Sequence, residues 1–466
     1  MPAARTAFVV AGLALLVATP SGQSAIRPIE FSDTRLANGL RVIIAEDHYA
    51  PVFAIAVSYA VGSKDERPGR TGFAHLFEHM MFKGSENVGS GEHFYLVFNY
   101  GGSMNGTTST DRTLYYEVMP KNQLDLALFL EADRMRALAI TKENLDNQRH
   151  AVQEERRLGL DNQPYGRSQE RFNELAYDNF AYKHSVIGSM QDLNAATIED
   201  VADFFRTYYA PNNAVVALVG DLDTKATLAR VEKFFGSIPK QPEPKPVDLS
   251  ERETMGGERR ERIEDPLARL AQINIGYRIP PATAADWPAL SALGQILGSG
   301  ESSRLYQRLV RETELCNSAG AGSSSRMGPG LLQVNCSVRL GRSLDDAERV
   351  LTEEVMKMHG TPVTAAELQR VRTSMRRSAV SMRESALTRA ATLADNAVLF
   401  NHPNRINTLP ETVAAVTAAD IQRVAQKYLR SDNRVVVQTI PASAAPQPSS
   451  PQPPSSPAAP GGSRTR

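Results

Sequence analysis

The sequence predicts an α+β protein of two homologous domains, each a mostly antiparallel sheet packed with helices, related by internal duplication. Three observations carry this expectation. First, Thr197, Asp200, Val201, Tyr208, Asn213, Val215 and Val216 recur 220 positions later as Thr417, Asp420, Ile421, Tyr428, Asn433, Val435 and Val436. Val118, Leu124, Asp125 and Ala127 recur at the same offset as Val338, Leu344, Asp345 and Ala347. Local mimicry explains one such stretch, but two at a shared offset argue for duplication. Second, the repeated unit reads as a Thr-capped helix followed by a Val-rich strand, a helical pattern giving way to a strand pattern. Third, a chain of 466 residues is too long for one core at about 150 residues per domain. Pro239, Pro242, Pro244 and Pro246 mark a joint between the halves.

Taken in order, residues 1–25 read as a secretory signal: Arg5, then a nearly all-apolar run from Ala7 to Ala18, then small residues from Ser21 to Ala25. Export is therefore expected, to a periplasmic or secreted location. A first domain is assigned to 26–237, a linker to 238–262, a second domain to 263–440, and a disordered Ala/Pro/Ser-rich tail to 441–466. No later segment approaches the roughly 20 apolar residues that span a bilayer, so no membrane span is expected. Lys+Arg and Asp+Glu are both 52, and this balance excludes a global pull toward nucleic acid. Cys316 and Cys336 flank the turn signal Gly328-Pro329-Gly330, which makes them neighbours across a hairpin. A disulfide and a pair of buried thiols both remain open.

The residues that carry chemistry are His75, Leu76, Phe77, Glu78 and His79. At about 100° per helical residue, His75, Glu78 and His79 fall in one arc, so two imidazoles and a carboxylate converge. Neutral imidazole is a preferred zinc ligand, and a catalytic zinc takes three protein ligands with a fourth position open to water. The third ligand must come from elsewhere. Glu143 to Leu158 has helical composition behind Thr141 as N-cap. Glu155 falls inside the apolar face of Leu145, Ala151, Val152 and Leu158, and Glu154 on its flank. A carboxylate on such a face is costly without a metal or a cation, which makes Glu155 the first choice and Glu154 the second. The plain alternative is a buried salt bridge from Glu155 to an arginine.

In the second half, Arg304, Gln307 and Arg308 align with His75, Glu78 and His79, so that half is expected to be a wall or substrate platform without metal. The arginine-rich stretch Arg370 to Arg389 reads as a solvated helix face. His93, His150 and His184 have no ligand partners at metal spacing and read as surface or core histidines.

The motif continues as Met80-Met81-Phe82-Lys83-Gly84 and is followed by Gly101-Gly102-Ser103-Met104-Asn105 with Thr107 and Asp111. Asp133-Arg134-Met135, Glu154-Glu155 and Tyr208-Tyr209-Ala210-Pro211-Asn212-Asn213 come next. In this order these runs resemble the pitrilysin/insulinase family of inverted-motif zinc peptidases, from about Ile29 to Ile440. The resemblance implies a zinc endopeptidase with one zinc per chain, held by His75, His79 and Glu155, and Glu78 as general base on zinc-bound water. Glu155 stands 76 positions after His79, in agreement with the family's distant glutamate ligand. Gly102 to Thr110, with Ser103, Asn105 and Thr107, is implied to be the sheet edge where an extended peptide or unfolded polypeptide adds as a strand. Gln148 stands where many relatives have glutamate, behind the metal ligands. The size resembles the shorter branch, which includes mitochondrial processing peptidase subunits and whose chains pair around a chamber. In that branch an arginine, and a tyrosine seven residues later, bind substrate; Arg311 fits the first, and Ser318 stands at the second. A homologous partner chain carrying the Arg/Tyr pair, or a homodimer, is therefore expected. The rival expectation is a catalytically silent peptide-binding or structural subunit.

Overall fold

The computed structural model of the chain describes residues 26–442. The expected leader lies outside the described residues, as does the tail from residue 443 onward. The first sheet contains β1 (Ser32–Arg35), β2 (Arg41–Glu46), β3 (Val52–Tyr59), β4 (Ser103–Thr108), β5 (Thr113–Pro120) and β6 (Ala214–Gly220), in the order β1-β2-β6-β3-β5-β4. Only β2 and β6 pair in parallel; the other neighbours are antiparallel. The central strands β3 and β6 are apolar on both faces, as a sheet covered on both sides requires. β4, with the sequence Ser-Met-Asn-Gly-Thr-Thr, pairs on one side only and forms the polar edge.

The first half also supplies α1 (Phe73–Met80), α2 (Glu92–Asn99), α3 (Leu124–Arg136), α4 (Lys142–Arg156) and α5 (Gly166–Ala176). It continues with α6 (Phe180–Lys183), α7 (Met190–Asn194), α8 (Ile198–Tyr208) and α9 (Thr224–Phe235). The second sheet comprises β7 (Arg259–Asp265), β8 (Gln272–Ile279), β9 (Cys316–Ser323), β10 (Gly330–Val338) and β11 (Arg434–Pro441), in the order β7-β11-β8-β10-β9. Its single parallel pair, β7 with β11, matches β2 with β6, and its edge strand β9 matches β4. Its helices are α10 (Trp287–Gly298), α11 (Leu344–Met356), α12 (Ala365–Glu384), α13 (Ala386–Phe400), α14 (Arg405–Ala414) and α15 (Ala418–Tyr428).

The repeated residues do the same work in both halves. Thr197 caps α8 and Thr417 caps α15, each Oγ1 accepting from the amide of the residue three on, Asp200 or Asp420, at 3.2 Å. Each Asp completes a capping box. Past each helix an Asn side chain donates to the Tyr carbonyl, Asn213 to Tyr208 at 2.8 Å and Asn433 to Tyr428 at 2.9 Å, and turns the chain into β6 or β11.

The halves interlock through exchanged helices. α13 lays Ala390, Leu393, Ala394 and Ala397 against Ala54, Ala56, Val215 and Ala217 of the first sheet. In return, α5 and the residue after it place Phe172, Ala176 and Tyr177 against Ile263, Val435 and Val437 of the second sheet. The small residues on α13 allow close approach, and each sheet has one face covered by the other half. Cys316 and Cys336 lie on β9 and β10 as buried thiols, so of the two arrangements left open the structure holds the unpaired one. A hydrogen bond with Cys316, together with burial, pushes the Cys336 thiol up.

Candidate metal centre

Helix α1 begins at Gly72, whose φ of 85° is the left-handed conformation that glycine adopts at least cost. Phe73, Leu76, Phe77 and Met80 point into the core. The Phe77 ring lies 4.3 Å from that of Tyr209 and 5.6 Å from that of Phe204, centroid to centroid. This aromatic packing against α8 fixes the rotation of α1 and leaves His75, Glu78 and His79 facing β4 and α4.

Glu155 comes from the last turn of α4, whose N-cap is Thr141 as expected, its side chain accepting from the Asn144 amide at 3.1 Å. Glu155 Oε2 stands 3.3 Å from His79 Nε2 and 3.7 Å from His75 Nε2. Tetrahedral zinc with bonds of about 2.0–2.2 Å holds its ligand atoms about 3.3–3.6 Å apart. One separation falls in that range and the other just beyond it, and the ligand atoms of all three residues lie within 4.8 Å of one another, so a small adjustment would let the set hold zinc. Burial and then the neighbouring His79 hold His75 down at about 4, so it presents a neutral imidazole. Burial lowers His79 as well, against the opposing pull of Glu155. Gln148, buried on α4, also draws the His79 pKa upward, against burial. Helical phasing placed Glu155 within an apolar face, but Ala151 and Leu158 are exposed and the buried stripe runs through Leu145, Gln148 and Val152. Glu155 flanks that stripe, with its side chain 49% exposed at the mouth of the cleft. Glu154 turns away and pairs with Arg157 at 3.0 Å.

Glu78 is buried, and burial raises its pKa against the hydrogen bond that Thr108 donates. Thr108 Oγ1 lies 2.6 Å from Glu78 Oε2. Gly106, on the same face of β4, passes beneath the carboxylate: a Cβ there would stand 3.0 Å from both Glu78 Cγ and Oε1. Alternation along β4 sends Ser103, Asn105 and Thr107 to the opposite face from Gly106 and Thr108, with Ser103 and Asn105 exposed. Asn105 Oδ1 accepts from the Gly106 amide at 2.8 Å, and the Thr107 carbonyl accepts from Arg112 at 2.8 Å. Thr108 and Gly106 were not singled out from sequence; the signal was their period-2 spacing on a strand that had to pass α1.

In the second half, Arg304 pairs with Glu367 at 2.7 Å and Arg308 with Glu312 at 2.9 Å, leaving no ligand set opposite the motif. Arg311 is exposed and pairs with Glu301 at 3.1 Å, and its guanidinium lies 5.7 Å from the ring centroid of Tyr306. A tyrosine thus stands beside Arg311 from the preceding turn, while Ser318 lies on β9. His93 does have carboxylate neighbours: it forms a buried cluster with Glu117 and Glu131, at 2.6 Å from Glu117. The Arg134 guanidinium already pairs with Glu131 there, so the positive charge that a metal would bring is present. Burial takes His93 down to about 3 and Glu117 up to about 7. No helix of the described residues is long and apolar enough to cross a membrane.

Comparison with known proteins follows the same lines. Residues 41–189 match the model for insulinase (peptidase family M16), and residues 195–375 match the peptidase M16 inactive domain. The chain is 28% identical over 404 residues to a zinc protease, PqqE, of Helicobacter pylori, with 86% of this chain and 91% of that protein covered. It is 25% identical over 408 residues to a probable mitochondrial-processing peptidase subunit beta of Arabidopsis thaliana, covering 85% of this chain and 76% of that protein. Among solved structures, a protease from Helicobacter pylori superposes with a TM-score of 0.85 at 28% identity, covering 89% of this chain and all 100% of that one. The periplasmic protease PqqL of Escherichia coli shares the fold, with a TM-score of 0.74 at 22% identity, over 89% of this chain and 48% of that one. The two family models run from residue 41 to residue 375, the insulinase model over the motif and the inactive-domain model from the end of the first half into the second: the chain belongs to peptidase family M16, the insulinase family.

Proposed function

We propose that the protein is a zinc-dependent endopeptidase that cuts extended peptides, with one zinc per chain held by His75, His79 and Glu155. The observation that carries this reading is the approach of Glu155 Oε2 to both imidazole Nε2 atoms, beside a buried Glu78. When bound, zinc supplies Lewis acidity that polarises a scissile carbonyl and makes water acidic near neutral pH. Glu78 takes a proton from the attacking water and returns it to the leaving amine. Thr108 holds one Glu78 oxygen, so the other is directed to the cleft, and Gly106 leaves room for it. Gln148 steadies the His79 ring without adding charge. The unpaired edge of β4 offers backbone groups to an extended peptide, with Ser103, Asn105 and Thr107 beside it, which favours loose sequence preference.

The second half serves as the facing wall, with Arg311 as a substrate contact. The likeness to a processing-peptidase beta subunit supports work with a homologous partner chain or as a homodimer. Within the chain, 26–237 forms the zinc-bearing domain and 263–440 the second, whose strand β7 begins at Arg259 and so takes in the last residues of the expected 238–262 linker. The apolar leader supports export. The test is cleavage of a quenched peptide by the purified chain, alone and mixed with a co-encoded homologue, with and without chelator. Glu78→Gln should abolish turnover and keep the metal. Zinc bound without cleavage in either preparation would replace this reading with the silent peptide-binding subunit.

A further inference from the structure

Helix α1 carries two proposed metal ligands and the general base, yet its N-cap is a glycine with no side chain to satisfy the free amides of the first turn. Glu66, with no side-chain surface exposed, takes over that task from eight residues upstream of Ala74. Its Oε2 accepts from the Gly72 amide at 2.9 Å and its Oε1 from the Ala74 amide at 2.8 Å. Its negative charge sits at the positive end of the helix. Glu66 is in turn held by His184, whose Nε2 lies 2.9 Å from Oε2. His184 Nδ1 donates to the Phe180 carbonyl at 2.9 Å, and the ring stacks on that of Phe180 at 4.4 Å. The Phe180 carbonyl at Nδ1 and the Glu66 carboxylate at Nε2 place an acceptor at each ring nitrogen, an arrangement that favours the protonated imidazole. Burial acts against that charge, and the hydrogen bond and charge of Glu66 outweigh it, raising the His184 pKa.

The segment that begins at His184 also reaches the helix that carries Glu155. Arg156, the residue after Glu155, donates to the Gly188 carbonyl at 2.6 Å while paired with Glu170 at 2.7 Å. Thr71 and Asp192 tie the same segment to the residue before Gly72, the Thr71 amide donating at 2.9 Å. Gly188 and Gly72 meet backbone to backbone: a Cβ on Gly188 would stand 2.4 Å from Gly72 Cα. One segment, 184–192, thus braces the start of α1 and the end of α4.

We propose that His184, acting through Glu66, is a positioning residue that fixes α1, and that segment 184–192 sets the spacing between α1 and α4 on which the metal centre depends. The inference rests on the zinc reading for its effect on metal, and on hydrogen bonding alone for its effect on α1. The experiment compares wild type, His184→Ala, His184→Gln and Glu66→Gln by zinc affinity, through competition with a chromophoric chelator, and by amide hydrogen exchange. His184→Ala is expected to weaken zinc about 10- to 100-fold, as loss of a supporting contact does. Exchange at Gly72 and Ala74 should accelerate at least about tenfold, with α15 in the other half unchanged. His184→Gln, whose amide reaches the same carboxylate, should recover most of both effects; Glu66→Gln, which loses the charge on the helix terminus, should not. Zinc affinity and α1 exchange in His184→Ala both within twofold of wild type would overturn the proposal. So would a fall in melting temperature with folded-state zinc affinity and α1 exchange unmoved, the signature of a merely structural contact. If wild type binds no zinc, the metal reading fails separately. The exchange at Gly72 and Ala74 then decides the role of His184: acceleration supports it, no change overturns it.

Discussion

Replacing Thr108 with valine removes one hydroxyl and little volume, and its consequence can be worked out from the structure. Thr108 Oγ1 donates to Glu78 Oε2 at 2.6 Å, and the carboxylate is buried, so the lost donor is not freely replaced by water. A hydrogen bond to a charged group contributes about 1.5–3 kcal/mol. The donor favours the ionised carboxylate, so its loss raises the Glu78 pKa further, in the direction burial already takes it. At a pH on the acid limb of the rate profile, the ionised fraction falls about 10- to 150-fold for that energy. On the plateau, where Glu78 is ionised in both proteins, kcat/KM should stay within about threefold. The assay is kcat/KM for a quenched peptide across the acid limb, with zinc content measured at each pH. The expected result is a limb displaced to higher pH with the same plateau. A limb that does not move, with zinc retained, would refute the assignment of Glu78 as the base oriented by Thr108.

Three further outcomes are expected. Thr197→Ala and Thr417→Ala each remove an N-cap of the same geometry, so each should cost about 1 kcal/mol in chemical denaturation, and unequal losses beyond twofold would count against equivalent caps in the two halves. Gly72→Ala forces a side chain into a left-handed conformation and sets its Cβ 2.5 Å from the Ile187 carbonyl oxygen. It should destabilise by at least about 1–2 kcal/mol, read from the same denaturation curves. Arg311→Ala should raise KM for peptide several-fold with kcat little changed, the pattern of a lost binding contact; an unchanged KM would remove Arg311 from the substrate path.

The two-sheet architecture was legible because the repeated residues are structural punctuation. Thr197 and Thr417 start helices, Asn213 and Asn433 end them, and such local signals survive without knowledge of the tertiary fold. The candidate site proposed to hold zinc was legible for a similar reason: His75, Glu78 and His79 share one face by helical spacing, and only the rotation of α4, which brings in Glu155, had to be inferred. That inference chose Glu155 while misjudging its surroundings, because Ala151 and Leu158 are apolar in sequence and exposed in the fold. What sequence could not show depends on contacts between distant segments. Thr108 meets Glu78 across 30 residues and His184 meets Glu66 across 118. His184 has no metal spacing, and nothing in its neighbourhood reveals that it closes a bridge to the start of α1. The exchange of α5 and α13 was hidden as well, since an apolar helix face does not say which sheet it covers.

The most direct test of the central claim is a paired measurement of bound zinc and peptide cleavage in wild type, Glu78→Gln and Glu155→Gln. Wild type and Glu78→Gln should each bind one zinc per chain, Glu155→Gln should bind it much more weakly, and only wild type should cleave. Undiminished zinc affinity in Glu155→Gln, or cleavage by Glu78→Gln at the wild-type rate, would contradict that claim.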